Sequence, residues 1–314
     1  MCAKYILESV LYWTEEYHID GFRFDLMGLL DVKLMNQIRR ELDARYGKGK
    51  KLVFGEPWRA EKTAMEGEAL PADKEHIGLL DKQIGMFSDD TRDAIKGSVL
   101  EADETLEVKA PSQIITYVSA HDNHTLWDKL SETTENKKQR QKEYRLAAGI
   151  YLTCQGTPFF LSGEEFARTK GGRDNTYNAS IDINRLNWKQ AEKEQELIEY
   201  YRGMIGLRKQ LPGLCDKSAE AKERIQTLQK RPGCVGFLVD NRANDKEATK
   251  QQNGWEKLCI IYNANQKSEN IHLPEGTWEI LADGEDSYRW KMPVEIAREA
   301  VASPVSILIL GQRK

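Results

Sequence analysis

Asp25, Glu56 and Asp122 each close an apolar run that reads as a buried strand: Gly-Phe-Arg-Phe-Asp25, Leu-Val-Phe-Gly-Glu56 and Val-Ser-Ala-His-Asp122. Carboxyl groups carry acid, base and nucleophile chemistry at sugar centres, and splitting a glycosidic bond uses at least two of them together. In a parallel α/β barrel the C-terminal ends of the strands open on one mouth. Acids tens of residues apart in sequence can therefore meet around one small substrate. The spacing points to sugar chemistry. Singly each acid says less: an Asp after a strand also serves as a helix N-cap, and Glu56 alone also fits a paired surface carboxylate.

The elements that must position these acids are legible from periodicity. Ile6, Leu7, Val10, Leu11 and Tyr17 follow helical spacing, so the chain opens inside a helix. Strands are expected at Gly21 to Leu26, Lys51 to Gly55, Gln83 to Phe87, Gln113 to Ala120 and Pro158 to Leu161. Leu34, Ile38 and Leu42 place an apolar stripe on a helix that stops at Gly47, and a second helix is expected from about Gln139 to Leu152. Strands alternating with helices predict βα units around a parallel sheet. A helix carrying Leu197, Ile198, Tyr201, Met204 and Ile205 ends near Pro212. Beyond about Lys217 the period changes to short runs punctuated by Arg-Pro-Gly, Pro-Glu-Gly and Asp-Gly, which predicts antiparallel strands, with Asn244 to Asn253 as a solvated hairpin loop. The expected fold class is α/β: an incomplete (β/α) TIM-type barrel over residues 1–214, followed by an antiparallel β-sandwich domain over 215–314.

Composition narrows the partners. The 314 residues carry 46 basic and 50 acidic side chains, net −4, with no basic block to gather phosphates, so nucleic acid is not an expected partner. No apolar run approaches the roughly 20 residues that span a bilayer, so no membrane association is expected. Five cysteines, in an odd number and without metal-ligand spacing, argue against a disulfide framework or a zinc site. The stretch after Met1 lacks export-signal character, so a cytoplasmic location is the expectation. No cofactor is expected; calcium is left open, with no ligand set to indicate it.

The neighbours of the three acids carry a pattern of their own. Asp20-Gly-Phe-Arg-Phe-Asp-Leu-Met-Gly28, Gly55-Glu-Pro-Trp58 and Tyr117-Val-Ser-Ala-His-Asp-Asn123 resemble the signature strands of the α-amylase superfamily of glycoside hydrolases, and within it most nearly the type I pullulanases. Weaker matches run through Phe87 to Gly97, Phe159 to Lys170, and Asp174 to Trp188, in that family's order. The resemblance implies that Asp25 is the nucleophile, that Glu56 is the general acid and then base, and that Asp122 binds sugar hydroxyls. It implies a hydrogen bond from His121 to the sugar, glucan contacts from Asn175 and Tyr177, and stacking of Trp58 on a neighbouring glucose or its use in packing. Glu164 and Glu165 are expected to be structural or surface-paired. On these roles, crowding by Asp25 and Asp122 should raise the pKa of Glu56, while Arg23, two residues before Asp25 on the same strand face, should keep the nucleophile ionised.

The implied activity is hydrolysis, with retention, of α-1,6-glucosidic branch links in pullulan, glycogen or limit dextrins. The resembling barrel has eight strands and five are read here, which implies either part of a longer gene product or a partner that supplies the missing N-terminal half of the barrel. The alternatives that stay open are an α-1,4-acting hydrolase or transferase, and a non-catalytic glucan-binding remnant.

Overall fold

In a computed structural model of the chain, which describes residues 1–59, 65, 67–96, 108–243 and 254–313, the run Gly21–Phe24 forms strand β1. It is followed in parallel order by β2 (Leu52–Gly55), β3 (Ile84–Phe87), β4 (Ile114–Thr116) and the two-residue β5 (Thr157–Pro158), giving the strand order β1-β2-β3-β4-β5. These five strands are the parallel sheet expected. The fourth and fifth are shorter than the apolar runs suggested. β4 stops at Thr116, and residues 117–125 run irregularly to the helix Leu126–Thr133, whose first amide donates to Ser119 Oγ at 2.8 Å. Asp122 thus sits six residues beyond its strand, inside a turn.

The chain divides into two compact units. The first comprises Met1–Ser88, the described part of Glu104–Ile115, and Lys217–Lys222. Helices Cys2–Tyr17 and Val32–Tyr46 supply Val10, Leu34, Met35, Ile38 and Leu42, which pack with Val53 and Ile84 of the strands. The Asp31 side chain caps the second helix by accepting from Leu34 N at 2.7 Å, and Gly47 ends it at a φ of 95°, a conformation that a side chain would strain. Arg39 is buried there with its charge met by Asp43 Oδ1 at 2.6 Å and by the carbonyl of Lys51 at 2.6 Å.

The second unit holds the described part of Asp89–Asp103, with Thr116–Asp216 and Glu223–Lys314. Its antiparallel sheet has the order β10-β9-β11-β8-β7-β6, from β6 (Ile225–Arg231), β7 (Cys234–Asp240), β8 (Trp255–Asn263), β9 (Glu269–Asp283), β10 (Val294–Ala302) and β11 (Ser306–Arg313). The Pro-Glu-Gly read as a turn lies inside β9, and β10 carried no signal strong enough to be read. Strand alternation gives the sheet two apolar faces. Ile307 and Ile309 face one core, with Leu258, Ile260 and the helical Tyr151, Tyr201, Met204 and Leu207. Leu308 and Leu310 face another, with Cys259, Ile261, Ile271 and Trp278. The change of period near residue 215 therefore marks a change of architecture and not a boundary of packing, because the helices Lys137–Thr153 and Gln195–Arg208 share a core with the antiparallel sheet. Residues 244–253, expected as a hairpin loop, lie outside the described residues. No helix among the described residues is long and apolar enough to cross a membrane.

Trp278 is fully buried, with its indole N–H on the carbonyl of Pro274 at 3.0 Å. Trp278→Ala is expected to cost about 3–5 kcal/mol, from lost burial plus the cavity left behind, as a lower urea midpoint would report.

Candidate functional site

The parallel register of β1 on β2 pairs Phe24 with Gly55, so the next residues, Asp25 and Glu56, leave adjacent strands side by side. The Glu56 amide continues the ladder by donating to the carbonyl of Phe24 at 3.0 Å. Arg23 bridges the two acids: Nη1 is 2.7 Å from Asp25 Oδ1, and Nη2 is 2.5 Å from Glu56 Oε1. The cation expected to serve Asp25 is therefore shared with Glu56.

Burial separates the two carboxyls. The Asp25 side chain is 73% exposed and that of Glu56 is 9% exposed. The pKa of Glu56 lies above its ordinary value, chiefly because burial penalises the charged form; the amide of Leu26 and the Arg23 charge oppose the shift, and Asp25 adds to it. The direction is as expected, but desolvation outranks crowding as its cause. Leu26 donates its backbone N–H to Glu56 Oε2 at 3.1 Å from a left-handed conformation, φ 42°. Sequence reasoning missed this contact, since leucine gives no sign of a positive φ.

Two glycines let the turn after Asp25 lie against the chain after Glu56. A Cβ on Gly28 would stand 2.4 Å from the carbonyl oxygen of Trp58, and one on Gly55 would stand 2.7 Å from the Phe24 oxygen. Gly28→Ala should force these segments apart, destabilising the fold by roughly 1–3 kcal/mol and loosening the Asp25–Glu56 pair. A lower melting temperature, together with loss of activity beyond that of an equally destabilised core variant, would be the measured result.

Trp58 is half-buried, and Lys74 Nζ lies 5.3 Å from its ring centroid, so one partner of the ring is already a cation. Nearby, Asp73, Glu75 and His76 bring candidate metal-ligand atoms within 4.8 Å of one another. Arg59 already engages Asp73 at 2.7 Å and Glu75 at 2.8 Å, so a guanidinium charge serves where a metal ion would have to.

The second unit holds the other expected residues. The His121 ring nitrogen Nε2 is 3.5 Å from Asp122 Oδ2, and both side chains are solvent-accessible. Asn123 follows with a φ of 58° and donates its amide to Asn175 Oδ1 at 3.1 Å. Tyr177 is 76% exposed. Glu164 proves structural: its buried Oε1 accepts from the hydroxyls of Tyr151 at 2.8 Å and Tyr201 at 2.9 Å. Glu165 accepts from the amide of Gly163 at 2.9 Å.

Sequence reasoning also passed over Lys170 and Asp128, both buried. Asp128 accepts from the amide of Lys170 at 2.6 Å and from the Thr169 hydroxyl. Asp128 did carry a signal. It stands three residues after the N-cap Thr125, where a capping box would use it, yet its side chain reaches the 169–170 segment.

Residues 222–286 match the pullulanase all-beta domain family. Over 99% of its length the chain is 32% identical to the pullulanase of Bacillus subtilis, of which it covers 46%. It superposes on the solved pullulanase of Bacillus acidopullulyticus with a TM-score of 0.85 at 33% identity, over 99% of this chain and 40% of that one. For the Paenibacillus barengoltzii pullulanase in complex with maltohexaose and alpha-cyclodextrin the TM-score is 0.81 at 34% identity, over 99% and 51%. The chain spans about half the length of the curated relative it matches. In its β-domain, its sequence and its fold, the chain is similar to the C-terminal part of the pullulanases.

Proposed function

We propose that the protein acts as a retaining glycoside hydrolase on α-1,6-glucosidic branch links in pullulan, glycogen or limit dextrins. The observation that carries this reading is the strand register that sets an exposed, arginine-paired Asp25 beside a buried Glu56 of raised pKa. Two carboxyls with opposed environments are what double displacement requires. Asp25 attacks the anomeric carbon while Glu56 gives its proton to the departing oxygen. Glu56 then takes a proton from water, which releases the sugar from Asp25 with its configuration retained. Both steps run on carboxyl groups and water, so no metal or cofactor is assigned a step.

In the second unit, Asp122 and His121 are assigned to binding sugar hydroxyls, and Asn175 and Tyr177 to glucan contacts. The α-1,6 preference takes its support from the pullulanase relatives and from the glycogen debranching enzyme of Yersinia enterocolitica, to which the chain is 25% identical. All five cysteines are free, which favours a cytoplasmic setting. Incubation with pullulan should release maltotriose; cleavage of linear amylose without maltotriose from pullulan would replace this reading with α-1,4 action.

A further inference from the structure

Lys170 is a lysine turned wholly inward. The residue is 3% exposed, and its ammonium donates to three backbone carbonyls: Asn123 at 2.5 Å, Asp174 at 2.7 Å and His121 at 3.2 Å. An ammonium has three N–H bonds, and three acceptors are met. Two of them flank Asp122 in sequence; the third is the residue before Asn175, whose side chain receives the Asn123 amide. The lysine is itself anchored, its own amide on the buried Asp128 and the neighbouring Thr169 hydroxyl on the same carboxylate.

We propose that Lys170 is a positioning residue, whose ammonium ties the 121–123 turn to the 174–175 segment and thereby fixes Asp122 and His121 for binding sugar hydroxyls. The proposal rests on the glucan reading of those two residues. A buried charge is costly unless fully hydrogen-bonded, and here the bonds are spent on main chain that no regular element holds. β4 has ended, and Asn123 sits at φ 58°, in a region of limited stability for a non-glycine residue. Main-chain bonds of strand or helix type would have fixed a side chain at residue 122 without help. In an irregular turn that task falls to the cation. Its three N–H groups being occupied, Lys170 has none left for a substrate, and it acts through its neighbours.

The test has two parts. In the parent protein, the ¹⁵Nζ–H signal of Lys170 should be visible and slow to exchange with solvent; a signal that exchanges as fast as those of exposed lysines would overturn the brace, whatever the activity. Lys170→Met removes the charge at similar length. At a temperature where the variant is folded by near-UV circular dichroism, kcat on pullulan should fall by roughly 10²-fold with KM changed far less, as mispositioning of about 1 Å predicts. The His121 ring signals should broaden while those of His272 stay fixed. If Lys170→Met does not fold, Lys170→Gln, which keeps two N–H donors, takes its place, with an intermediate loss of kcat expected. Unaltered kcat together with unaltered His121 signals in the folded variant would reject the positioning role. Should the parent leave pullulan uncut, the glucan reading fails, and the two NMR readouts still decide whether Lys170 holds the turn.

Discussion

Asp25→Ala is expected to lower pullulan hydrolysis by roughly 10⁴-fold or more in whichever form of the protein is active, without loss of fold. The side chain is 73% exposed and supports no core, so a folded but inactive variant is the expected product. The rate falls because no group is left to form the glycosyl ester, while Glu56 can still protonate the departing oxygen. That asymmetry allows a positive test. Azide fits the space vacated by the carboxylate and attacks the anomeric carbon from the same side: the carbon–nitrogen bond forms, the carbon–oxygen bond breaks, and Glu56 supplies the proton. Restored turnover giving a β-configured glycosyl azide would identify Asp25 as the nucleophile. A variant retaining a tenth of the parent rate, or azide without effect on it, would remove that role. Arg23 enters the same argument, since its 2.7 Å contact holds the Asp25 carboxylate in place beside Glu56.

Most of the first unit was legible because its signals are local and repetitive. Leu34, Ile38 and Leu42 fall on one helix face, and Val53 and Ile84 close the same core. The pairing of Asp25 with Glu56 follows from a parallel register that two strands ending in step adopt by themselves. What stayed hidden depends on tertiary contacts that leave no periodic trace. The positive φ at Leu26 shows only in three dimensions, where its amide has a buried carboxylate to meet. Lys170 looks like any surface lysine, yet its environment comes from carbonyls nearly 50 residues upstream. β10 alternates Glu295, Ala297 and Glu299 with Ile296 and Ala300, too polar a run to read as buried, and it is held by its pairing with β9. The Pro-Glu-Gly within β9 misled for the opposite reason: turn chemistry is present, but Gly276 at φ 116° and the pairing of both flanks with β10 absorb it inside one strand.

Glu56→Gln should separate catalysis from stability by moving them in opposite directions. Glutamine has neither the proton for the leaving group nor the basicity to activate water, so kcat on pullulan should drop by roughly 10²- to 10⁴-fold. A substrate such as maltosyl fluoride departs without protonation; its first step should be nearly unaffected, and the glycosyl-enzyme should accumulate because the second step lacks its base. Glu56→Ala with azide should then give an α-configured azide, the opposite of the Asp25 product, since azide now attacks the ester in place of water. The stability change follows from burial. The carboxyl of Glu56 has its folded pKa raised above the ordinary 4.5, so the folded protein holds this proton more tightly than the unfolded chain does. Stability from this group is complete below about 4.5 and declines as pH rises through the window up to the raised folded value. Above that window the parent keeps an ionised carboxylate in a buried place, whereas glutamine stays neutral. The variant should therefore melt higher than the parent near pH 7, with the difference vanishing toward pH 4. The alkaline limb of the parent's kcat/KM profile should fall in the same window, as Glu56 loses the proton it must donate. A parent more stable than the variant across that range would mean that Arg23 and the Leu26 amide outweigh burial, leaving Glu56 ionised and without a proton for the first step.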